Sequence, residues 1–382
     1  MARAYRAGVD PEALEAEVDE LRATIAYVEN GQTLTFPFDI EKSRALYKAL
    51  LEPVDGEVKA LEHLVFEPDG AMLRLPANLL VADDASVDRY VERIAQGGDD
   101  YDFTGTNWLG REVRITTTVS PSAFRDVRRA PGSSAVREYI GFGENTPLTQ
   151  ERGTLGTRAA LAGGADCLWA PSIWDYPIKA DELYAASRSL GAGTAQERIV
   201  TGDTFTDTAV LGMEDLDQYR ILHFATHGLV TAPQPECPPR PALLTSFGDE
   251  QSDGLLSFAE IFDLKIDADL VILSACDTAG EATLGATREA GVSGGGFALD
   301  GLVRAFVGAG GRTVVASHWP VPDDYDATNR LIDGFFSVAA GTSLAEAMRQ
   351  SQGRLMDQSE TSHPFYWSAF AIVGDGGAQL RN

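Results

Sequence analysis

The spacing of apolar positions changes twice along the chain. Between Asp10 and Asn30, Leu14, Val18, Leu21, Ile25 and Val28 recur at three- and four-residue intervals behind Pro11, which predicts an amphipathic helix. A second helix is expected after Asp39, with Ala45, Leu46, Ala49 and Leu50 on one face, ending before Pro53. From Leu61 the texture becomes that of strands. His63-Leu64-Val65-Phe66 reads as a strand, Pro68-Asp69-Gly70 as a turn, and Met72-Leu73-Arg74-Leu75 as the returning strand. A helix at 86–95, an acidic connection at 97–100 and strands at 113–118 and 139–142 come next, and the polar, glycine-rich stretch Glu144–Gly164 reads as a boundary.

Beyond that boundary, helices are expected at 181–190, 207–213, 257–262, 297–307, 327–338 and 344–355. Strands are expected at 198–200, 221–224, 243–245, 270–274, 313–316 and 369–373. Short, continuously apolar strands alternating with helices predict an α/β fold with a mostly parallel sheet covered on both faces. In such sheets the chemistry sits at the carboxyl ends of the strands.

Composition narrows the function. With 44% hydrophobic residues in 382, a packed core is within reach. Lys and Arg total 31 against 57 Asp and Glu, a formal charge of −26, so nucleic acid and anionic membranes are not expected as direct partners. No run approaches the roughly 18 apolar residues that span a bilayer. Cys167, Cys237 and Cys276 are too few and too scattered for a disulfide framework, and with no apolar signal segment the expectation is a soluble, cytoplasmic protein. His223 and His227 have H-x3-H spacing but no cysteine pair upstream, so neither a metal nor an organic cofactor is expected.

Two strand ends carry candidate chemistry. Ile221-Leu222-His223-Phe224 runs into Ala225-Thr226-His227-Gly228, and Leu270-Val271-Ile272-Leu273-Ser274 runs into Ala275-Cys276-Asp277. If the strands are neighbours, His227 and Cys276 face one crevice, with the imidazole as base for the thiol. The N–H groups of Gly228 and Cys276 would then hold the oxyanion of a tetrahedral intermediate. Asp277 either reads a positive group on a substrate or caps the next helix. His318, after another strand, either lines the crevice or packs, and Trp319 with the 317–326 loop would form an aromatic and acidic rim. His223, on the same strand as His227, reads as a hydrogen-bonded core histidine. A competing Gly291-Val292-Ser293-Gly294-Gly295 motif, with Asp323 or Asp326 and then His363, has the order of an α/β-hydrolase but lacks the strand its elbow requires.

These segments resemble the CHAT domain, a caspase-like cysteine peptidase module related to separase and often found behind tetratricopeptide repeats. The matching pieces are ILHFATHG (Ile221–Gly228), DLVILSACDTAG (Asp269–Gly280), LVRAFVGAGGRTVVASHWPV (Leu302–Val321) and HPFYWSAFAIVGD (His363–Asp375). Upstream, LYKALLEPV, HLVFEPDGAMLRLPANLLV and YIGFGENTP are similar to the family's N-terminal half. The resemblance implies a three-layer α/β/α sandwich and a cysteine endopeptidase with a His227–Cys276 dyad acting on a protein or peptide. It implies an N-terminal helical segment at 1–34, tail of a repeat region, a degenerate caspase-like half at 35–155 and a catalytic half at 156–382. An upstream repeat domain or an activating protein is the implied partner. Thr278 stands where caspases carry Gly, so specificity for aspartate is not transferred. Residues 281–296 stand where relatives carry an activation segment, and Arg288 within them marks either a self-cleavage point or, the favoured reading, a flexible linker. The alternative to an enzyme is a pseudoprotease whose crevice binds a peptide.

Overall fold

The structure is a computed structural model that describes residues 4–29, 32–148, 169–190, 197–229, 237, 241–277, 298–319 and 324–380. Cys167, Arg288, Ser293, Asp323 and most of the 144–164 boundary lie outside the described residues. In chain order the strands are β1 (Tyr27–Glu29), β2 (Gln32–Leu34), β3 (His63–Phe66), β4 (Arg114–Thr117), β5 (Arg137–Gly143) and β6 (Glu197–Thr201). They continue as β7 (Tyr219–Leu229), β8 (Ala242–Leu244), β9 (Leu255–Ser257), β10 (Leu270–Asp277), β11 (Thr313–Ser317) and β12 (Phe370–Gly374). Two compact units emerge: residues 1–123 with 322–372 and 376–382, and residues 124–321 with 373–375.

In the first unit the amino-terminal helix runs Pro11–Ile25, launched by Asp10, whose carboxylate accepts from the Ala13 N–H at 3.0 Å. Val18, Leu21 and Ile25 are its buried stripe, as the spacing predicts. The helix stops short of Asn30 because the next described residues pair as β1 and β2, antiparallel strands. The hairpin expected over 63–75 does not form. β3 instead pairs in parallel with β4. Asp69 accepts the Gly70 N–H, Gly70 turns to φ 57°, and residues Gly70–Arg74 continue as a 3₁₀ helix rather than a strand. The core of this unit is aromatic: Phe38 meets Trp108 edge-on at 5.5 Å, and Trp108 lies 5.2 Å from Trp367.

The second unit holds a parallel run in the order β11-β10-β7-β5-β6, extended at β7 by antiparallel β8 and β9. Alternate residues of these strands pack one face against the helices Phe258–Asp263 and Ala298–Ala309, with Phe142, Phe224, Val271, Leu273, Leu302 and Phe306 in one buried cluster. The other face carries the helix Asp181–Ser189, whose Leu183 packs on Ala225. The α/β expectation, a mostly parallel sheet with helices on both faces, is met in this unit. Cys237 is disulfide-bonded, which the cysteine count did not suggest; its partner's side chain is not among those described. No helix among the described residues is long and apolar enough to cross a membrane.

An acidic pair, Asp207 buried and Asp253 half-buried, has a measurable cost. Burial pushes the Asp253 carboxyl up to about 6, and Asp207 beside it is also raised by burial. A raised carboxyl stabilises the fold fully below its unfolded value and loses that contribution as pH climbs through 4 to 6. Asp253→Asn keeps the oxygen that accepts from the Leu255 N–H. It is expected to raise unfolding stability by about 1–2 kcal/mol at pH 7 and to leave it unchanged at pH 4, read by urea denaturation. Equal effects at both pH values would contradict the assignment.

Candidate active site

β7 and β10 are adjacent and parallel, in a register that sets Ile272 against His223, Ser274 against Ala225, Cys276 against His227 and Asp277 against Gly228. The strands that end in His-Gly and Ser-Ala-Cys are therefore neighbours, and their last residues meet at the carboxyl end of the sheet. Both strands project past their outer neighbours. β11 pairs with β10 only as far as Leu273, and β5 pairs with β7 only as far as Ala225. Gly228, directly after His227 on β7, is also paired to Leu243 of β8. The side chains of Cys276 and Asp277 are not among those described.

His227 is held by main chain. Its Nε2 lies 2.6 Å from the Tyr176 carbonyl oxygen. A carbonyl can only accept, so Nε2 carries the proton and Nδ1 the lone pair. Nδ1 is shielded from water and has no hydrogen-bond partner among the described residues. Burial pushes the imidazole below its ordinary value of 6.5, the Tyr176 carbonyl acting in the opposite sense. At neutral pH the ring is thus a neutral base with its free nitrogen unspent.

The segment bearing Tyr176 is fixed from beneath. Trp174, buried two residues earlier, donates its indole N–H to the Thr245 carbonyl at 3.0 Å and packs on Phe247 at 5.2 Å. The Asn145 amide donates to the Trp174 carbonyl at 2.9 Å. Pro177 bars Tyr176 from the α region, leaving it at φ −123° and ψ 65°, where the 3₁₀ turn Pro171–Asp175 ends. The Tyr176 side chain itself is 75% exposed.

The other candidates fall differently. His223 is fully buried, its Nδ1 3.0 Å from the Tyr139 hydroxyl, as a core histidine should be. His318 comes directly after β11 and is half-buried. Trp319 is 1% exposed, so it packs inside instead of forming the aromatic rim; residues 320–323 lie outside the described residues. The rim reading failed because a large indole after an apolar strand finds more favourable burial than exposure. His363 caps the turn Pro364–Trp367, accepting the Phe365 N–H on Nδ1 and reaching the Phe36 carbonyl through Nε2 at 2.9 Å. Both nitrogens are engaged and burial pushes the ring down to about 4, so it offers no base to a serine. The Tyr176 carbonyl went unread because every residue type presents the same main-chain oxygen.

Residues 41–375 match the family described as the CHAT domain. The chain belongs to the CHAT family. Human (Homo sapiens) tetratricopeptide repeat protein 28 is 28% identical to this CHAT chain over 242 residues, 54% of the chain and 9% of that protein. The Mus musculus protein of the same name is 29% identical over 275 residues, 60% of the chain and 10% of that protein. The matches thus span about a tenth of the length of these curated relatives. Among solved structures, the Saccharomyces cerevisiae separase–securin complex is similar over 69% of this CHAT chain and 14% of that one, at 12% identity and a TM-score of 0.39.

Because the hold on His227 is a carbonyl, Tyr176→Ala is expected to leave the imidazole titration where it is in the wild type, below 6.5. NMR titration of the His227 ring checks this. A wild-type midpoint at or above 6.5, or a clear shift in Tyr176→Ala, would contradict the geometry.

Proposed function

We propose that this CHAT chain is a cysteine endopeptidase of the caspase-like kind, with Cys276 as nucleophile and His227 as general base and then acid. The observation that carries the reading is the pairing of Cys276 with His227 at the ends of adjacent strands, with no hydrogen bond to His227 Nδ1 among the described residues. His227 Nδ1 takes the thiol proton as sulfur attacks the scissile carbonyl carbon. The N–H groups of Gly228 and Cys276 receive the developing oxyanion. The imidazolium, held by the Tyr176 carbonyl, then returns its proton to the departing amine, leaving a thioester that water hydrolyses with His227 again as base.

The substrate is a protein or peptide. Asp277, beside the nucleophile, would favour a positive side chain, and His318 borders the same end of the sheet. The setting we favour is the cytoplasm, whose reductants keep thiols free and would open the Cys237 disulfide. An ungated protease there would damage its host, so an activating partner is expected. The two relatives carry tetratricopeptide repeats in their names, and such a region is the partner we favour.

The test compares wild type, Cys276→Ala and His227→Ala against a diverse peptide library in the presence of reductant, with cleavage read by mass. Wild type is expected to cut, Cys276→Ala to be silent, and His227→Ala to lose at least about a hundredfold, the scale of general acid–base catalysis. Full activity in His227→Ala would end the dyad reading. A wild type that cuts nothing and whose Cys276 resists electrophiles would make the chain a peptide-binding module.

A further inference from the structure

Beneath the proposed dyad lies a buried polar row that the peptidase reading does not use. Tyr139 of β5, His223 of β7, Glu182 of the helix Asp181–Ser189 and Ser274 of β10 are each at least 95% buried. The Ser274 hydroxyl donates to Glu182 Oε2 at 3.0 Å. Glu182 Oε1 lies 3.3 Å from His223 Nε2, in contact but without an aligned hydrogen bond. The Tyr139 hydroxyl stands 3.0 Å from His223 Nδ1 on the far side of the ring and 3.4 Å from the Leu183 carbonyl. A carboxyl group is rarely buried without reason, because desolvation costs several kcal/mol unless partners replace the lost water.

Small residues bring this helix so near the sheet. A Cβ at Gly141 would stand 3.0 Å from the Tyr139 hydroxyl and 3.3 Å from Leu183, and one at Gly143 would stand 3.2 Å from Leu183. With glycine at both, the helix settles onto β5 and β7, and Glu182 reaches across to β10.

The strand overhang gives that reach a purpose. Past Leu273, β10 has left β11 behind, and past Ala225, β7 has left β5. Ser274 is the first residue of the β10 overhang, and Cys276 stands two residues further on. Along that overhang, Ser317 donates to the Ala275 carbonyl at 2.9 Å. Glu182 holds the root of the overhang by the Ser274 hydrogen bond, and its other oxygen lies against His223 of the strand that carries His227.

The geometry points to Glu182 as a positioning residue that ties β7 to β10 from below and so fixes the separation of His227 and Cys276. This rests on the peptidase reading. Glu182 touches neither substrate nor reacting atoms; it acts through the two strands. The effect belongs on thiol reactivity and kcat, with KM unchanged, because what is lost is alignment of the dyad and not contact with the substrate.

The test measures the rate at which Cys276 is carboxamidomethylated by iodoacetamide, after reduction, as a function of pH and resolved by peptide mass. Wild type, His227→Ala, Glu182→Leu, Glu182→Gln and Ser274→Ala are compared, with far-UV circular dichroism as the folding control. In Glu182→Leu, folded as the wild type is, the rate at neutral pH is expected to fall about tenfold, and the profile to move toward the roughly 8.5 of a free thiol. Ser274→Ala, which removes only the β10 end, is expected to move it the same way, and it decides the matter if the leucine variant does not fold. Glu182→Gln keeps an oxygen for Ser274 and is expected to stay within about threefold of wild type. A wild-type thiol that depends on His227 but is indifferent to both Glu182→Leu and Ser274→Ala overturns this proposal and leaves the peptidase reading standing. A wild-type thiol that titrates freely and ignores His227→Ala overturns both.

Discussion

The register of β7 against β10 is the constraint on which the rest depends. It is set by packing on the face of the sheet away from the helix Asp181–Ser189. There Phe224 stacks on Phe142 at 4.8 Å and meets Phe306 at 5.1 Å, within the cluster that also holds Leu222, Val271 and Leu273. Side chains alternate between faces with a period of two, so a slip of one residue would carry this whole set out of the core. The same slip would set His227 against Ala275 or Asp277 instead of Cys276. Hydrophobic burial on one face therefore determines which polar groups meet at the strand ends.

The two ends of this parallel run are built on different terms. At the amino ends, Arg312 binds Asp267 at 2.7 Å, Arg220 pairs with Glu138 and lies 3.7 Å from Asp269, and the Ser133 N–H donates to Asp269 at 2.8 Å. These charges are partly buried, have partners on more than one element, and brace the strands where nothing need move. At the carboxyl ends the outer strands β11 and β5 drop away, and β7 and β10 project as a pair. Reactivity requires unsatisfied groups such as the lone nitrogen of His227, and stability requires satisfied ones, so the fold separates them along the strand axis.

Much of this was legible in the sequence for identifiable reasons. Buried parallel strands show as continuous apolar runs, so β11 could be placed almost to the residue and β7 and β10 could be located, although both run on past the expected ends at Phe224 and Ser274 to Leu229 and Asp277. The misreadings share a cause as well. Pro68-Asp69-Gly70 signals a turn but does not fix the conformation of residues 70–74, and the parallel partner of β3 lies far along the chain. Trp319 looked like surface because prolines and aspartates come after it. Glu182 could not be singled out, since an acidic residue in the first turn of a helix is the ordinary complement to its dipole. Only the assembled fold shows its carboxyl group buried and bridging two strands.

The Tyr176 carbonyl carries an implication for comparing such proteins. In a triad built from side chains, decay leaves a visible scar when the orienting residue mutates. Here the orienting group is an oxygen that every amino acid possesses, so it is invisible to sequence alignment. What an alignment can show is the scaffolding that aims it: Pro177, Trp174, and the Asn145 amide that binds the Trp174 carbonyl. Under the proposed peptidase function, a homologue can retain both histidine and cysteine and still lose activity once that turn is re-aimed. On that reading, survival of the two side chains alone is a poor guide to activity.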